Sequence, residues 1–144
     1  MSELLQLTFW ATFLSAAVRT AIPILCASIG EDISEKAGII NVGLEAVMLV
    51  GAFFGFAAAY LTHSLFWGFV VGMLAGMLLS LLHAFLSVYL KQDQNVAGVA
   101  LNLLATGLTS YIFQLMVNRY GIPQIETLKS VPIPLLSKIP LIGD

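Results

Sequence analysis

Four long apolar runs, parted by breaks of only a few polar residues, leave this chain very few ways to fold. Hydrophobic residues make up 59% of the 144 and charged residues only 10%, against a charged share of about 25% in ordinary soluble domains. A soluble globular domain is therefore excluded. In lipid every backbone N–H and C=O must be satisfied within the protein, so only helices and closed barrels can span. The runs are too long and too rich in glycine for barrel strands, which are about 10 residues of alternating polarity. The expected fold is all-α: one polytopic helical membrane domain with spans near residues 4–30, 38–62, 65–90 and 95–118. A tail over 119–144 follows, holding Pro123, Pro132, Pro134 and Pro140. Those prolines rule out a regular helix, so the tail is expected to be extramembrane or re-entrant.

The most informative stretch is residues 30–55, GEDISEKAGIINVGLEAVMLVGAFFG. Glu31, Asp32, Glu35 and Lys36 cannot sit unpaired in hydrocarbon, because burying a lone ion costs several kcal/mol or more, roughly. They are expected to mark a polar break between two spans. Asn41 and Glu45 follow four residues apart, one helical turn, and on a helix beginning at 38 they share a face. At helical rise Glu45 falls about 12 Å beyond Ala37, inside a hydrocarbon core roughly 30 Å thick. A carboxylate at that depth is a candidate functional group. Arg19 lies at a comparable depth in the first run, which Pro23 is expected to tilt or kink. If the first two helices are antiparallel neighbours, Arg19 and Glu45 can pair. Each pairing instead with local polar groups or water is the alternative.

Small residues recur at four-residue spacing. Gly51, Gly55 and Ala59 share one face of the second run and Gly68, Gly72 and Gly76 one face of the third. Such faces let helix backbones approach closely, so packing is their expected role. Asn102, Thr106 and Thr109 form a polar stripe on the fourth run, which can either hydrogen-bond a neighbouring helix or line a path for solute. His63 falls in a short polar turn. His83 is embedded and, with no Cys, Asp or Glu at ligand spacing, is expected to be a hydrogen-bonded packing residue. Cys26, the single cysteine, is expected to be a small buried hydrophobe. The first residues lack a basic region and a small-residue cleavage site, so the first run is expected to be retained rather than removed as a signal.

No Ser-His-Asp or Cys-His constellation and no metal-ligand spacing is present, so no catalytic or metal site is expected. The glycines lie within apolar runs and do not form a phosphate-cradling loop with a lysine. Net charge is -2 without a basic cluster, which gives no reason to expect nucleic acid as a partner.

Two runs, EKAGIINVGLEAVMLVGAF at 35–53 and NVAGVALNLLATGLTSY at 95–111, resemble in order the signatures of the permease subunits of ABC importers. The group is that of branched-chain amino acids, ribose and nucleosides, and the nucleoside or simple-sugar branch is the most similar. The likeness covers nearly the whole chain and implies the amino-terminal part of a permease about twice as long. It also implies a multi-pass place in the cell membrane, with the turns at Lys36 and Lys91 on the cytoplasmic side. The lipid bilayer, a second permease subunit, a separate ATP-binding subunit and an extracytoplasmic solute-binding lipoprotein are the partners it implies. ATP would be bound by the partner, with no cofactor in this chain and no enzyme activity of its own. The expected cargo is a small polar solute, a nucleoside or simple sugar, with Asn41, Glu45, Asn102, Thr106 and Thr109 as candidate pathway residues. Hydroxyl-rich solutes suit Asn and Thr groups, which both donate and accept. A branched-chain amino acid permease, a proton-coupled carrier using Glu45, and a structural membrane subunit are the alternatives.

Overall fold

The computed structural model describes residues 2–121, with side chains from Phe9 onward. Four α-helices follow one another: α1 (Ser2–Lys36), α2 (Leu44–Thr62), α3 (Leu65–Ala84) and α4 (Gln94–Tyr120). A π-helical turn, Phe85–Tyr89, extends α3, and no strand occurs among the described residues. Phe9–Lys36, Leu44–Thr62, Leu65–Tyr89 and Gln94–Tyr120 are each long and apolar enough to cross a membrane. The expected Pro-rich tail lies outside the described residues from 122 onward, while Arg119 and Tyr120 still belong to α4.

The described chain falls into two compact units, one ending at Ile29 and the other beginning at Gly30. The first consists of the helical stretch up to Ile29, in which Phe9, Trp10 and Phe13 form an aromatic cluster and Cys26 is exposed rather than buried. The second holds the end of α1, the loop 37–43 and the three remaining helices.

The polar break falls later than the charges suggest. Glu, Asp and Lys are compatible with helix, and Lys36 Nζ sits 2.9 Å from Asp32 Oδ2 one turn back, a favourable i,i+4 pair. Gly38 stops the helix. At φ +85 it occupies the left-handed region, where a side chain is costly. Its N–H donates to the Glu35 carbonyl (2.9 Å) and the Ile39 N–H to the Ser34 carbonyl (3.0 Å). That pair of bonds is the Schellman termination. The second span accordingly begins at Leu44, not at 38.

Helices α2 and α3 form a hairpin. His63, in the left-handed conformation, ends α2, and extended Ser64 begins α3; so short a connection forces the helices antiparallel. Glycine makes the contact close. A Cβ on Gly68 would stand 2.7 Å from Ala59 Cβ and 2.8 Å from the Gly55 carbonyl oxygen, and one on Gly72 would stand 2.8 Å from the Gly51 carbonyl oxygen. Gly76 is different, because a Cβ there meets Val47 at an ordinary 3.5 Å.

The core of this unit is small: Ala46 and Val50 of α2 against Leu101 and Ala105 of α4, with Phe54, Ala75, Leu79 and Leu86 packed around them. Most large apolar side chains are exposed along the spans, as suits helices whose solvent is lipid. At the far end of α3 the π turn closes with the Leu90 N–H donating to the Phe85 carbonyl at 3.1 Å. Asp93 then caps α4, accepting from the Asn95 and Val96 N–H groups at 2.8 and 3.2 Å. This satisfies two donors that a helix start otherwise leaves open.

Candidate functional site

The loop 37–43 joins two spans without being helical, so its backbone needs partners other than its own. One face of α4 supplies several of them. Gln94, Gly98 and Asn102 recur every four residues and so lie in one stripe. The Gln94 side chain accepts from the Ile40 N–H at 2.7 Å and donates to the Gly38 carbonyl at 3.4 Å. Asn102 repeats the pattern two turns on, accepting from the Ala46 N–H at 2.8 Å and donating to the Val42 carbonyl at 3.2 Å. Between them Gly98 makes room: a Cβ there would stand 2.7 Å from the Gly43 nitrogen and 2.8 Å from Val42 Cβ. Two amides thus hold the loop backbone by donor and acceptor together, across a seam that no side chain larger than hydrogen fits.

The other side of the loop meets α1 and α3. The Glu31 carboxylate accepts from the Asn41 N–H at 2.6 Å, a charge-assisted bond of the stronger kind. Its other oxygen is buried without a hydrogen-bond partner among the described residues, as are Asn41 Oδ1, both ring nitrogens of His83 and Ser87 Oγ. His83 is 2% exposed, and the Glu31 carboxylate is close enough to act on it electrostatically. The expectation of a hydrogen-bonded histidine is corrected: the ring is packed as expected, but neither nitrogen has a partner among the described residues.

Other expected site residues are placed differently from one another. Asn41 precedes α2 and Glu45 lies in its first turn, exposed, so the two do not share a helical face. The cause is the Schellman stop at Gly38, which delays α2 past Asn41. Thr106 is exposed and its hydroxyl donates to the Asn102 carbonyl at 2.8 Å, while buried Thr109 donates to the Ala105 carbonyl at 2.7 Å. Both hydroxyls turn back on their own helix, and the Asn102 amide is committed to the loop. Gly51 and Gly55 face Gly72 and Gly68, and Gly76 faces Val47. Arg19 belongs to the first unit and Glu45 to the second.

The residues that the sequence reading missed are Glu31, Gly43, Gln94 and Gly98. By sequence Glu31 is indistinguishable from Asp32, Glu35 and Lys36 in the polar break, yet among the described residues its side chain alone of the four bonds the loop. The spacing of Gln94, Gly98 and Asn102 was visible, but an amide-glycine-amide stripe gains meaning only once an extended segment lies against it. Among the described residues no group of three or more His, Cys, Asp or Glu could hold a metal ion.

Among the described residues, four helices long and apolar enough to span, a glycine-seamed hairpin and a loop held by side chains of the neighbouring helices define a polytopic helical membrane protein. The chain belongs to the family described as the permease component of the branched-chain amino acid transport system, which it matches over residues 13–137. It is 42% identical over 96% of its length to a putative glucose ABC transporter permease protein of Haloferax volcanii. It is 33% identical over 98% of its length to a guanosine ABC transporter permease protein of Bacillus subtilis, and 39% identical over 84% to a nucleoside ABC transporter permease protein of Lactococcus lactis. The aligned chain spans between 40% and 45% of the length of these relatives. No solved structure matches it.

Proposed function

We propose that the chain forms part of the transmembrane permease of an ATP-driven ABC importer in the cell membrane, moving a nucleoside or simple sugar. The observation that carries this reading is the similarity over nearly the whole chain to permeases described as acting on guanosine, nucleosides and glucose. An ATP-binding subunit would supply the energy, a second permease subunit would complete the path, and an extracytoplasmic solute-binding protein would deliver cargo. This chain would bind neither ATP nor another cofactor. Asn41, Glu45, Asn102, Thr106 and Thr109 remain the proposed pathway residues. Pairing of Arg19 with Glu45 is also proposed, on the opposite charges the two carry within apolar runs. Non-additive stability effects of Arg19→Ala and Glu45→Gln in a double-mutant cycle would support it, and strict additivity would refute it.

The test of function is uptake of labelled guanosine, glucose and leucine into proteoliposomes holding the permease with its ATPase and binding protein. ATP-dependent uptake of guanosine or glucose is expected. Uptake of leucine instead would move the assignment to the branched-chain amino acid branch. Uptake abolished by an uncoupler but indifferent to ATP would replace the importer with a proton-coupled carrier.

A further inference from the structure

An open groove of about 430 Å³ runs along the α2–α3 hairpin, with no α4 residue in its lining. Val50 and Phe54 line it from α2, and Val71, Ala75, Leu78 and Leu82 from α3. It lies wholly within the unit that begins at Gly30. The α3 residues recur at intervals of three or four, so they form one ridge, about 16 Å long at helical rise. That ridge occupies the middle of the span Leu65–Tyr89. Every lining side chain is apolar, so the groove offers a sugar or a base no side-chain polar group to fix its orientation. It is a packing surface rather than a solute path.

The groove is continuous with the core. Val50 is buried there, and Phe54, Ala75 and Leu79 pack around it, while Leu78, farther out on the same ridge, is 65% exposed. Apolar surface alone calls for no partner in lipid, whose tails are as apolar as leucine. Shape is what favours a helix. Helices associate in membranes through van der Waals packing, and small Ala75 between Val71 and Leu79 gives a neighbouring helix a notch in which its ridge can interlock. A source for that helix exists in the relatives. More than half of each relative's length lies outside the aligned stretch, enough for several spans of about 20 residues.

We propose that this groove seats one transmembrane helix from the part of the permease outside residues 1–144, a helix that presents an uncharged apolar ridge to Val50, Phe54 and Ala75. The inference rests on the reading of the chain as part of a longer permease, but not on the cargo or the energy source. It divides α3 into two faces. The ridge through Ala75 and Leu78 is covered by protein, whereas Phe66, Phe69 and Met73, exposed on the opposite side, face lipid.

The test places a photoreactive benzophenone amino acid at Leu78 in the assembled permease in its membrane, with Met73 as the control. Leu82 repeats the test should the change at 78 prevent assembly. After irradiation, mass spectrometry identifies what each position has captured. The expected result is a peptide from permease sequence outside residues 1–144 at position 78, and lipid adducts at 73. Lipid adducts at 78, no protein adduct there, or a peptide from residues 1–144 would each overturn the proposal, as would equal capture of the same helix at 73. The uptake assay fails independently. Lipid capture at 78 with ATP-dependent uptake would remove the helix and leave the importer, while helix capture with uncoupler-sensitive uptake would remove the importer and leave the groove's occupant.

Discussion

The Asn102 side chain of α4 caps the amino terminus of α2, accepting from the Ala46 N–H at 2.8 Å while donating to the Val42 carbonyl at 3.2 Å. Gly43, at the N-cap position, makes no side-chain capping bond, so the cap comes from another helix. Asn102→Ala removes both bonds and leaves a buried N–H open, which should cost about 1–2 kcal/mol. Asn102→Asp keeps the acceptor and should lose less. Thr106→Val should change stability by less than about 0.5 kcal/mol, because its exposed hydroxyl bonds only its own helix. Thermal unfolding in detergent checks all three, and equal losses at 102 and 106 would refute the cap.

Gly98 and Gly107 lie on the same helix and should respond oppositely to alanine. At Gly98 the new methyl meets the Gly43 nitrogen at 2.7 Å and the Val42 carbonyl carbon at 2.9 Å. Backbone cannot swing aside like a long side chain, so α4 and the loop must part, at a cost of about 1–3 kcal/mol. At Gly107 nothing lies within 4 Å, and alanine should stabilise by up to about 1 kcal/mol through helix propensity. The ordering of the two melting temperatures against wild type is the measurement.

The hairpin of α2 and α3 gives a similar contrast along one stripe. Gly72→Ala places its methyl 2.8 Å from the Gly51 carbonyl oxygen and should lower the melting temperature by several degrees, while Gly76→Ala meets Val47 at 3.5 Å and should leave it nearly unchanged. Equal tolerance at both positions would mean that the helices are not in close contact at Gly72.

Composition and run length made the four spans legible, because hydrocarbon thickness and the need to satisfy backbone groups leave few alternatives. The two motifs made the family legible. Local stops were harder to see: the charges of 31–36 look like a break, yet they are helical, and one glycine at 38 ends the helix. That shift of six residues moved Asn41 off the helix and separated it from Glu45. The polar stripe Asn102, Thr106, Thr109 was visible as a pattern, but whether a hydroxyl turns to its own carbonyl or outward depends on neighbours that periodicity does not reveal. The surroundings of His83 were hidden for the same reason, since Gly43 and Asn41, which lie beside its ring, are some forty residues away in sequence.

Two glutamates fourteen positions apart should behave as opposites. Glu31 accepts the Asn41 N–H at 2.6 Å with its other oxygen buried, so it holds the loop to α1. Glu45 is exposed in the first turn of α2, where a negative charge is favoured only modestly by the helix dipole. Glu31→Ala should therefore destabilise by about 1.5–3 kcal/mol, the range for a hydrogen bond to a charged group. Glu45→Gln should cost no more than about 0.5–1 kcal/mol, the range for a favourable helix-end charge or an exposed ion pair. If Glu45 lines the solute path, the same Glu45→Gln protein should show reduced uptake at normal membrane level and near-normal melting. The paired measurement, melting temperature and initial uptake rate on each variant, separates the two roles. A large stability loss at Glu45 with none at Glu31 would reverse the assignment, and normal uptake by Glu45→Gln would remove Glu45 from the path.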